Sequence, residues 1–102
     1  MNSTVHLSYQ LRATRALVKF IRDHNSEVDM DLLKCLEALE HTDISSAVKH
    51  AKMVKVAGMG GLTDWFPPVV FGHENEEYVW AELEALAYNW ARLIALSFEG
   101  KP

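Results

Sequence analysis

The chain has 102 residues, 49% hydrophobic and 24% charged, with a net charge of −4; this balance excludes a disordered chain and fits one domain able to bury a core unaided. A single cysteine, Cys35, excludes an internal disulfide and fits a reducing compartment. With no apolar leader and no run of membrane-spanning length, the expected location is cytoplasmic, and the negative charge argues against nucleic acid as a partner.

In chain order, Thr4 to His24 reads as a helix with a wide apolar arc. Val5, Tyr9, Ala13, Ala16, Leu17 and Phe20 line one side, and Leu7, Leu11, Val18 and Ile21 extend it. Its other face carries Arg12, Arg15, Lys19 and Arg22. That row has the spacing to grip phosphates, but reads as a solvated face paired with acidic side chains of the same molecule. "SEVD", Ser26 to Asp29, has capping-box spacing and predicts a second helix from near Val28, with Leu32, Leu36 and Leu39 on one face. Cys35 flanks that face and reads as an inert, half-buried thiol. Thr42 or Asp43 caps a third helix whose Ile44, Ala47, Val48, Ala51 and Val54 face inward, and Gly58 is placed as its C′ residue. Asn75 caps a long fourth helix reaching about Phe98, with Gly100 beyond it. Its stripe is Val79, Leu83, Leu86, Trp90 and Ile94, widened by Trp80 and Ala87.

Four amphipathic helices and no sustained two-residue alternation predict an all-α fold. The expectation is a single compact four-helix bundle over residues 1–102, with a long Gly/Pro/aromatic connection before the last helix.

That connection, "VAGMGGLTDWFPPVVFGHEN", holds four of the five glycines, two of the three prolines and the Trp65–Phe66 pair. A loop this long is functional or disordered, and its apolar content argues for packing. "LTDWF" is expected to form one helical or 3₁₀ turn with Thr63 as cap, stopped by Pro67 and Pro68. Trp65 and Phe71 then form a lid across one end of the bundle; left partly exposed, the same rigid aromatics make a protein-binding anchor. Glycine-rich "GMGG" lacks the Lys-Ser/Thr of a phosphate loop, and Asp64 would repel phosphate.

"GMGGLTDWF", preceded by a helix opening "DISSA", resembles the Gly-Gly-Met-Gly-Ser-Leu-x-Asp element of small uncharacterised bacterial helical proteins. The likeness runs from Asp43 to Phe66 and rests on Gly58, Met59, Gly60, Leu62 and Asp64. It implies a helical topology with a final helix after the glycine turn, and carries no activity.

The five histidines, His6, His24, His41, His50 and His73, show no metal-ligand spacing beyond Glu37–His41, so no metal or cofactor is implied. No acid/base or nucleophile arrangement emerges either. The expected function is protein–protein interaction, by an adaptor, inhibitor or immunity-type protein, through Asp64, Trp65, Phe66 and Phe71. The alternative is a small ligand-binding domain or enzyme with a pocket under the Trp65–Phe71 segment. A thin row on the fourth helix, Tyr78, Ala85, Asn89 and Leu96, lies too far round for the same core and predicts a homodimer contact.

Overall fold

The computed structural model describes residues 3–99, with side chains described for 7–94. Four helices follow one another, α1 (Ser3–Asp23), α2 (Met30–Glu40), α3 (Ile44–Met53) and α4 (Glu76–Glu99), with no strand among the described residues. Helix α1 packs against α2 and α4, α2 packs closely on α3, and α3 touches α4 over a smaller area. The radius of gyration, 13.7 Å, is near the ~13 Å of a compact chain of this size. No helix of the described residues is long and apolar enough to cross a membrane.

The core follows the helical periodicity. Leu17, Val18, Phe20 and Ile21 of α1 meet Leu32, Cys35 and Leu39 of α2, and Leu83, Ala87, Trp90 and Ile94 close it from α4. Helix α3 adds Ala47 and Ala51. Two buried polar groups on α1 are satisfied: Thr14 Oγ1 donates locally to the Gln10 carbonyl (2.7 Å), and Gln10 Nε2 donates across to the Leu93 carbonyl of α4 (3.1 Å).

Several expectations are corrected. Tyr9 and Ala16 lie outside the core, because the buried face of α1 turns through Gln10 and Thr14 towards α4. On α2 the buried face centres on Cys35 and Ala38, with Leu36 only half-buried. Burial pushes the Cys35 thiol up to about 11, which leaves it inert at neutral pH. Helix α2 starts at Met30 rather than Val28, capped by Asp29, which accepts from the Asp31 and Leu32 N–H groups. Ser26 does not cap it; it closes α1 instead, its N–H donating to the Ile21 carbonyl in a crossed-bond ending that puts Asn25 at φ 62°. Asp43 caps α3 through the Ser46 N–H (3.1 Å). That helix ends at Met53 with Val54 extended, so Gly58 lies beyond it in a separate turn. Asn75 caps α4 through the Tyr78 N–H (2.8 Å); Gly100 lies outside the described residues.

Candidate functional site

Residues 54–75 join α3 to α4 without a helix or strand, yet hydrogen bonds fasten the segment near both ends. The Leu62 N–H donates to the Lys55 carbonyl (2.9 Å) and the Thr63 N–H to the Val56 carbonyl (3.0 Å), closing 55–63 into a compact loop. Inside it, successive turns run from Gly58 to Gly61 and from Gly61 to Asp64. Gly60 takes φ +79°, and Gly61 passes so close to Val56 that a Cβ would sit 2.9 Å from its backbone. Glycine is required there by that approach. The helical turn expected over "LTDWF" is absent. Thr63, the expected cap, donates its hydroxyl backwards to the Val56 carbonyl (3.0 Å), and Asp64 accepts from the Gly60 N–H (2.7 Å).

Beyond this loop Trp65 is half-buried and packs against the core beside Leu62. Pro67 is buried, and the prolines hold 66–70 irregular and extended. A second fastening follows. Glu74 Oε1 accepts from the N–H groups of Val70 and Phe71, 3.0 Å each, and Oε2 accepts from His24 Nε2–H at 2.7 Å. Both side chains are secluded, 3% accessible for His24 and 1% for Glu74. His24 Nδ1–H donates to the Phe20 carbonyl (2.7 Å). A carbonyl can only accept, so Nδ1 carries a proton, and a carboxylate that already accepts two backbone N–H groups favours a proton on Nε2 as well. His24 is therefore an imidazolium and Glu74 a carboxylate.

Burial alone would lower the His24 pKa, but the Phe20 carbonyl and the Glu74 charge, helped by Glu82, outweigh it and raise the value. Burial likewise opposes ionisation of Glu74, yet the Phe71 and Val70 N–H groups and His24 bring it down to about 2. Phe20 stacks on the His24 ring at 4.0 Å, Phe71 meets its edge at 5.7 Å, and Phe71, His73 and Tyr78 continue as a chain of ring contacts.

The fixed segment leaves apolar surface in solvent. Phe66 is 84% exposed and Met59 86%, with Val69, Val70 and Phe71 also outside. The Phe66 ring lies 6.1 Å from Trp80, which the sequence pattern placed beside the core stripe but which is 40% exposed. Phe66, Pro67, Pro68, Val69 and Glu76 line a groove of about 390 Å³.

The sequence-named residues thus separate. Trp65 faces the core, Phe66 faces solvent, Asp64 is engaged within its own loop, and Phe71 is shared between His24 and solvent. Tyr78, Ala85 and Asn89 lie exposed on the outer side of α4, and the Leu96 side chain lies outside the described residues. His24, Glu74 and Trp80 were not picked out by sequence. A cavity of about 250 Å³ opens beside Phe71, lined by Phe20, Leu86, Lys19, Asp23 and Glu82 among others. Its His24 has both ring nitrogens engaged, which leaves no free nitrogen for acid/base work.

On α1, Arg15 pairs with Glu40 (3.2 Å) and Lys19 with Asp23 (2.7 Å). His50 Nδ1 lies 3.0 Å from Asp31, and His41 Nδ1–H donates to the Glu37 carbonyl. Among the described residues no cluster of three or more His, Cys, Asp or Glu is arranged to hold a metal ion.

No protein-family model, curated protein or solved structure matches the chain.

Proposed function

We propose that this chain is a four-helix bundle serving as a protein-interaction domain of adaptor, inhibitor or immunity type, and that the 54–75 connection is its binding surface. One observation carries this reading: Phe66 is 84% exposed on a segment fixed by hydrogen bonds at both ends. An ordered aromatic left in water lowers solubility without stabilising the fold, whereas a partner can bury it without first ordering the loop. Half-buried Trp65 anchors the segment from below, and Phe66, Phe71 and Trp80 form the contact.

A photo-crosslinking amino acid at position 66, in cells that express the protein natively, tests this. A discrete protein adduct is expected at position 66 and not at exposed Arg12 on α1. Equal labelling at both positions, or none at 66, overturns the reading.

Self-association is a separate reading, favoured by the exposure of Tyr78, Ala85 and Asn89 along one side of α4. Light scattering at micromolar concentration should then find a dimer that Ala85→Glu dissociates, and a monomeric wild-type protein removes it.

A further inference from the structure

Resting on the interaction reading, we propose that the groove lined by Phe66, Pro67, Pro68, Val69 and Glu76 receives a basic segment of a different protein, with a Lys or Arg side chain lying on Phe66 and the neighbouring Trp80 ring. The groove has apolar walls with Glu76 among its lining, and Glu84 lies further along α4. Trp80 sits on α4 between Glu76, four residues before it, and Glu84, four residues after, so both carboxylates share its side of the helix. Glu76, in the first turn, also answers the positive end of the helix dipole. Glu84, at the third turn, has no such role. Neither carboxylate is ion-paired within the described residues.

A long basic side chain satisfies every part of this surface. Its methylenes lie on Phe66, Pro67, Pro68 and Val69, its cation meets the faces of two aromatic rings, and its charge reaches Glu76 or Glu84. A phosphate backbone or an anionic membrane would meet these carboxylates with like charge. A second copy of this chain, with a net charge of −4, is disfavoured as the occupant, and two of the four cations on its basic α1 row, Arg15 and Lys19, are already held by Glu40 and Asp23.

The test is selection of random dodecamer peptides displayed on phage against the purified full-length protein. The enriched peptides are then mapped by NMR and their affinities measured. Enrichment of peptides with Lys or Arg next to an apolar residue, shifting the Phe66 and Trp80 resonances, is expected. Their binding should weaken about tenfold in the Glu76→Gln/Glu84→Gln variant, and further with added salt. Neither substitution touches a core residue, and circular dichroism confirms that the variant folds. Enriched peptides without basic residues that still bind at Phe66 overturn the basic-partner proposal while leaving the interaction reading intact. Binding unchanged by the double substitution does the same. Failure to enrich any peptide at the groove, or concentration-dependent self-association through it, also overturns the proposal.

Discussion

His24 Nε2 and Glu74 Oε2 lie 2.7 Å apart, with both side chains secluded from water and their positions 50 apart in the chain. Glu74 also accepts from the Val70 and Phe71 N–H groups, so one carboxylate ties the end of α1 to the connection that carries the exposed aromatics. The presentation of Phe66 and Phe71 therefore depends on an ion pair.

Its pH dependence follows from both partners. The raised His24 value means its contribution is complete below 6.5 and fades as pH rises through the folded-state value. The lowered Glu74 value means its contribution is complete above 4.5 and fades as pH falls towards about 2. Lys19 and Asp23 on α1, His73 in the connection and Glu82 on α4 share this pocket with the pair. Thermal stability should accordingly be highest between pH 4.5 and 6.5 and decline on both sides. In Glu74→Gln, which removes the charge and leaves an amide oxygen to accept from the backbone, NMR titration of the His24 ring should give a lower value than in the wild type. An unchanged His24 titration would show that Glu74 does not set its charge.

How much of this was legible in the sequence divides by range. The caps Asp43 and Asn75 act within three residues of themselves; side-chain chemistry identified Asn75 and narrowed the other to Thr42 or Asp43. The start of α2 failed at the same range, because Ser26 looked like a cap but belongs to the ending of α1. Trp80 shows a different limit. Periodicity placed it within reach of the core stripe, but whether anything covers it depends on how the neighbouring segments pack, and it is 40% exposed. No spacing relates His24 to Glu74, since the contact forms only when α1 and the connection meet. The connection's apolar content marked it as packed, but not which aromatic faces inward.

Trp65 and Phe66 should respond oppositely to truncation. Trp65 packs against the core but is only half-buried, so Trp65→Ala should lower stability by about 2 kcal/mol, below the ~3–5 kcal/mol of a fully buried aromatic. Phe66→Ala should stay within about 0.5 kcal/mol of wild type while losing partner binding. Denaturant melts of the two variants decide this. A large loss from Phe66→Ala would mean that the ring is part of the fold.

The connection's glycines make a sharper pair. At Gly61 a Cβ would stand 2.9 Å from the Val56 carbonyl carbon and oxygen, both backbone atoms that cannot move aside cheaply. Gly61→Ala should destabilise by about 1–3 kcal/mol and broaden or shift the amide resonances of 55–64. Gly72, with open space around it and no left-handed φ, should accept Ala with no loss, or gain about 0.4–1 kcal/mol through the unfolded chain. Equal effects at the two positions would rule out the close approach as the reason for Gly61.

Thr42 is the one residue of the α2–α3 junction that the backbone treats badly. It follows the last turn of α2 in crossed hydrogen bonds, its N–H donating to Leu39 (3.1 Å) and that of Asp43 to Ala38 (2.8 Å). This ending forces φ to +56°, a left-handed conformation that disfavours a β-branched side chain by about 1–2 kcal/mol. The Thr42 hydroxyl recovers part of this by donating to the His41 carbonyl (2.7 Å). Asn tolerates the same φ and lacks the extra unfolded-state freedom that makes Gly a weaker choice. Thr42→Asn should therefore stabilise the protein by about 0.5–1 kcal/mol, raising the midpoint of thermal unfolding by a few degrees, ~4–8 °C per kcal/mol for domains of up to about 100 residues. The change lies far from the aromatic groove and should leave peptide binding unaltered. A lower midpoint would show that the hydroxyl contact outweighs the backbone strain, and that Thr42 is the better residue for this turn.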